Sequence, residues 1–175
     1  MAVSQRNCGQ GYEIMVYNFK SIIWISSFVV MTIYLIGTAH EDAKNLEVTR
    51  IKHLMGFIPA ILMMIVNAGM YSWFDIGMIE LFVLVCLWMG MKGIYGMADG
   101  FVFANMVLLF GGISGVAGIG IVILIMILAC FSGMIEMLLR KMVILADFRK
   151  NRQIAFVPHI LTGYLAVMIG LSIWM

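Results

Sequence analysis

Charge is what this sequence has least of. Among 175 residues there are 11 lysines and arginines and 9 aspartates and glutamates, 11% of the chain against a hydrophobic share of 63%. A soluble domain averages about 25% charged and about 45–50% apolar. A water-facing surface therefore cannot be built all round, and a mean hydropathy of +1.06 points to an integral membrane protein. The net charge of +2 sits in short loops and forms no stripe, so it gives no ground for nucleic acid as a partner. Cysteine is also scarce. Two of the three, Cys86 and Cys130, fall inside apolar runs, no pair including Cys8 has metal-ligand spacing, and all read as small apolar residues. His40, His53 and His159 show no i, i+3 or i+4 pair, so they read as interfacial histidines and no metal is expected. No Ser–His or Cys–His pair stands out, and no P-loop or dinucleotide fingerprint is present. Residues 1–20 are mixed and polar and no A-x-A-type site follows them, which argues against a cleavable signal peptide.

What remains is apolar run after apolar run. A bilayer core takes about 20 apolar residues per helix. The runs predict spans at Ser21–Ala39, Leu54–Tyr71 and about Ile76–Tyr95, the last two forming a tight hairpin. Gly100 to Leu139 is a continuous apolar run broken by one acid, Glu136. At about 1.5 Å per residue it is long enough for two crossings. Glycine permits a fold-back within Gly111–Gly118, although Gly111 and Gly115 equally suit a close helix contact. The fourth span is then short, about Gly100–Gly111, and the fifth runs Ile113–Leu139. A sixth is expected over Ile154–Trp174, with Pro158 in its first turns. The expected fold is all-α: a polytopic membrane protein of six transmembrane helices (residues 21–175) behind an extracytoplasmic segment (residues 1–20).

Lysine and arginine set orientation. On one face lie Lys44, Arg50, Lys52, Lys92, Arg140, Lys141, Arg149, Lys150 and Arg152; on the other, Arg6 and Lys20 alone. The first face is assigned to the cytoplasm, which puts both termini outside and the chain in the cytoplasmic membrane as a multi-pass protein.

Two aspartates fall on that cytoplasmic edge: Asp42 after the first span and Asp99 at the start of the fourth. The basic residues alone fixed the sides, so the coincidence is informative. Of the other acids, Glu41 and Glu47 share the loop of Asp42, Asp147 lies among basic residues, and Glu136 is placed to snorkel or to pair with Arg140 at i+4. Paired carboxyls a few ångströms apart share a proton, so one activates a water while the other protonates a carbonyl: aspartyl peptide hydrolysis. The plain alternative is that Asp42 is a loop charge and Asp99 caps the fourth helix.

Three segments resemble the type IV prepilin peptidase family and its short preflagellin relatives. "AHEDAKNLEVTRIKH" is similar to the segment after that family's first helix, with Asp42, Lys44, Val48 and Thr49 in register and Arg50 where an asparagine is usual. "GMAD", Gly96 to Asp99, resembles the motif carrying the second catalytic aspartate, with Phe101 where a lysine is common. "IAFVPHILTGYLAVM" resembles the final helix, through Phe156, Pro158, Leu161 and Gly163. The resemblance implies Asp42 and Asp99 as the catalytic pair, with Lys44, Gly96, Ala98, Glu47 and Pro158 in substrate-binding or supporting roles. Many family members carry a four-cysteine insertion associated with methyl transfer; here that loop has 14 residues and no cysteine. The implied enzyme is a peptidase alone, without S-adenosylmethionine or other cofactor, and its partner is a prepilin-like precursor in the bilayer. The substrate helix would lie among the spans, with Glu41 and Glu47 facing its basic leader and the short fourth span admitting water to Asp99. Two other classes stay open: a degenerate scaffold subunit of a pilus or secretion system, and a small ion-coupled transporter, which no internal repeat supports.

Overall fold

The computed structural model describes residues 2–45, 48–143 and 155–174, and of residues 2–19, 50, 140–143 and 174 the backbone alone. Among the described residues all regular structure is helical: α1 (Ala2–Asn45), α2 (Arg50–Val66), α3 (Trp73–Met91), α4 (Met97–Ser114), α5 (Val116–Val143) and α6 (Val157–Trp174), with a 3₁₀ turn at Ala68–Met70. An apolar chain in lipid has no water to satisfy its amides, so each run closes its hydrogen bonds within itself as a helix. Four stretches are long and apolar enough to cross a membrane: Lys20–Asn45, Trp73–Met91, Met97–Ser114 and Val116–Leu139. Ile51–Val66 and Val157–Ile173 are shorter apolar helices. Together they mark a multi-pass membrane protein.

The helix α4 is the core of the bundle. Val102, Phe103, Ala104, Met106, Val107, Leu109 and Phe110 are buried around its whole circumference, as expected of a helix apolar on every side. The helices α2 and α3 flank it, α5 and α6 close the far side, and α1 packs between α2 and α6. α1 meets α4 through side chains, Phe28 against Phe110 at 5.9 Å between rings and Tyr34 through Asn105. Apolar surface gains little from leaving lipid for protein, so close packing has to hold these helices together. Gly112 shows how close: a Cβ there would stand 3.1 Å from the Met64 backbone nitrogen.

One expectation needs correction. The fourth span is not short: α4 has 18 residues, because Met97–Asp99 form its first turn and Gly111 and Gly112 stay helical. α1 runs unbroken for 44 residues, about 66 Å at 1.5 Å per residue. The fold-back falls where glycine allows, at Gly115, whose φ is +61°.

That end of the bundle is stapled by polar groups. The Asp75 carboxylate accepts from the Ser72 amide and hydroxyl at 3.0 and 2.7 Å and, from the start of α5, from the Val116 amide at 3.2 Å. The Gly112 carbonyl at the end of α4 accepts from Asn67 Nδ2 at 2.8 Å and from the Tyr71 hydroxyl. Both hairpin turns are thereby joined. Cys86 is buried and Cys130 exposed, both as free thiols.

Candidate active site

At the opposite end α1 terminates and α2, α4 and α6 begin. A helix start leaves its first amides without partners, and two such starts meet a carboxylate here. Asp42, in the last turns of α1 and 7% exposed, accepts from the Val157 amide at 3.0 Å and also from the Phe156 amide. Pro158, the next residue, has no amide to satisfy, which suits this first turn. Asp99, the third residue of α4 and 6% exposed, accepts from the Gly96 amide at 3.0 Å. The capping expected of Asp99 is therefore present, while Asp42 is a helix residue and not a loop charge.

Both aspartates line one cavity of about 920 Å³, and they stand close enough for their charges to interact. Gly96 and Ala98 line it too. A Cβ on Gly96 would come within 2.9 Å of Asp99 Oδ2, so the carboxylate occupies the space a side chain there would need. Lys44 is exposed and Pro158 half-buried, and neither lines the cavity. Glu47 lies outside the described residues, as do Asp147 and the basic residues 149, 150 and 152. Glu41 is committed elsewhere: it pairs with Lys52 at 2.9 Å and accepts from the Thr49 hydroxyl and amide at 2.5 and 3.2 Å, which fixes the turn between α1 and α2. Behind the site, burial pushes the Tyr95 phenol far up, so it stays a donor to the Cys86 carbonyl at 2.8 Å and props the loop carrying Gly96.

Two arrangements were invisible in the sequence. His53, read as an interfacial histidine, is 5% exposed, lines the cavity and stacks on Phe101 with ring centroids 5.0 Å apart. Its Nδ1 is 3.0 Å from the Tyr34 hydroxyl, and Asn105 Nδ2 reaches both that hydroxyl at 3.3 Å and the His53 carbonyl at 3.2 Å. A Ser–His contact also exists, contrary to expectation: Ser132 Oγ lies 3.0 Å from His159 Nδ1. Glu136 Oε2 stands 2.9 Å from His159 Nε2; the expected i+4 pairing with Arg140 falls on a side chain outside the described residues. His159 does not line the cavity. It ties α5 to the first turn of α6, the turn that holds Asp42. Groups of three or more His, Cys, Asp or Glu able to hold a metal are absent among the described residues.

Two carboxyls in one cavity, each anchored by backbone amides, can pass protons in opposite directions: one takes from a water while the other gives to a carbonyl oxygen. Fold and site define a multi-pass helical membrane protein with paired carboxyls at one end of its bundle. Compared with known proteins, the chain finds no matching family model, curated protein or solved structure.

Proposed function

We propose that this chain is a membrane aspartyl endopeptidase that removes the short leader of type IV pilin-like precursors at the cytoplasmic edge of the membrane. The observation that carries the reading is that Asp42 and Asp99 line one cavity. They are 57 residues apart in sequence, both buried, and both open to the same cavity. Burying two carboxyls in a lipid-embedded bundle is costly, and such residues commonly mark function. Lys44, Lys52 and Lys92 belong to the same end of the helices, which supports a cytoplasmic placement within six spans and with both termini outside.

The reaction needs no further reagent. The oxygen of a water held between the carboxyls attacks the scissile carbonyl carbon, one aspartate takes the water proton, and the other gives its proton to the carbonyl oxygen. The tetrahedral diol then collapses, the C–N bond breaks, and the leaving nitrogen takes a proton from the dyad. Leu54, Phe57 and Met97 give the cavity apolar walls, suited to the apolar helix that follows a pilin leader. Neither methyl transfer nor a cofactor is part of the reading.

The rival reading, a degenerate scaffold subunit, draws on Phe101, which occupies the cavity wall where the resembled family commonly has lysine. Co-expression in membranes with a pilin-type precursor separates the two. Leader removal by the wild type, scored by gel shift and lost in both Asp42→Asn and Asp99→Asn, supports the peptidase. Absence of cleavage over several precursors, with pilus assembly indifferent to both substitutions, supports the scaffold.

A further inference from the structure

Resting on the peptidase reading, we infer that His53 is a third catalytic group, donating a hydrogen bond from Nε2 to the carbonyl oxygen of the scissile peptide.

The donor direction follows from the network. The His53 backbone carbonyl can only accept, so the Asn105 atom 3.2 Å from it is the amide nitrogen. The same nitrogen is 3.3 Å from the Tyr34 oxygen and gives it its second hydrogen. Tyr34 is 5% exposed, and its own hydrogen then has His53 Nδ1, 3.0 Å away, as its acceptor. A ring whose Nδ1 accepts carries its hydrogen on Nε2, and Nε2 is the ring nitrogen left for the cavity that His53 lines.

The ring is also held in place. Phe101 stacks on one face at an interplanar angle of 24°. Gly56, one turn along α2, leaves no room for a side chain: an added Cβ would overlap Asn105 Nδ2 and lie 2.8 Å from the Tyr34 ring. Three helices thus fix one imidazole on the wall of the cavity that holds both aspartates. A fixed donor aimed at a developing oxyanion costs no reorganisation during reaction, and removing one typically lowers kcat by about 10²–10³-fold. Phe101 also gains a role on this reading, as the platform for the ring.

Two measurements test it on the full chain. In ¹⁵N-histidine spectra of the protein in lipid nanodiscs, the resonances missing from His53→Gln are expected to show a protonated Nε2 and a bare Nδ1, and Tyr34→Phe is expected to disturb that tautomer. A protonated Nδ1 in the wild type overturns the assignment. In cleavage kinetics with a purified pilin-type precursor, His53→Phe, which keeps an aromatic ring for the stack, is expected to lose about 10²-fold in kcat with KM little moved. His53→Gln, which restores a donor, is expected to recover part of the loss. A kcat for His53→Phe within about threefold of wild type, with Asp42→Asn and Asp99→Asn inactive, removes His53 and leaves the dyad. Cleavage that survives either aspartate substitution overturns the peptidase reading and this inference together.

Discussion

Asp42 combines two jobs that different substitutions should separate. Its carboxylate accepts the Val157 and Phe156 amides at the start of α6, and on the proposed mechanism it also moves a proton. Asp42→Asn keeps an oxygen able to face Val157, so the α6 turn stays satisfied while proton transfer is lost. Cleavage should fall by at least about 10²–10⁴-fold, the range for removing a general acid or base, with the unfolding midpoint in SDS titration of mixed micelles unchanged. Asp42→Leu removes the acceptor altogether. Val157 is fully buried, and an orphaned buried amide costs about 1–3 kcal/mol, so this variant should be both inactive and less stable by that amount. Initial rates of leader removal and SDS titration on the same preparations report the two effects independently. Cleavage by Asp42→Asn within tenfold of wild type would refute the catalytic assignment. An Asp42→Leu protein as stable as wild type would refute the anchoring.

Two further outcomes follow from the packing. Gly118→Ala would drive a Cβ into the Phe110 backbone carbonyl, which cannot step aside as a side-chain tip can; destabilisation at or above the usual overpacking range of about 1–3 kcal/mol is expected in the same titration. His159→Phe keeps a ring beside Phe156 but drops the contacts to Ser132 and Glu136. It should cost about 1–3 kcal/mol of stability and speed amide exchange at Val157 by hydrogen–deuterium measurement; unchanged exchange would show that α5 does not steady that turn.

The run lengths made most of the helices legible, and Gly115 turned the chain within the glycine-rich stretch where a turn was expected. Asp42 and Asp99 were legible because charge is so rare that each acid has to be explained. Other features left no trace because nearly every residue around them is apolar. In a soluble helix the polar face betrays the buried one; α4 has no polar face, so neither its central position nor its full length could be read. The Tyr34–His53–Asn105 network joins residues up to 71 positions apart on three helices, and the His159 contacts span 27. Neither has a period. Glu41 looked free for a leader because its partners Thr49 and Lys52 lie across a turn whose path the sequence does not show.

The enclosure of α4 has a consequence for the setting in which the protein works. Of the stretch Met97–Ser114, 67% is buried, against 17% for Trp73–Met91. A bilayer that thickens or thins presses on the helices it touches, which answer by tilting. α4 touches little lipid, so its neighbours hold the height of Asp99. Asp99 keeps its depth while the outer helices lean, so any change of activity between short-chain and long-chain phospholipids should arise from α1 and α2, which carry Asp42 and the facing cavity wall.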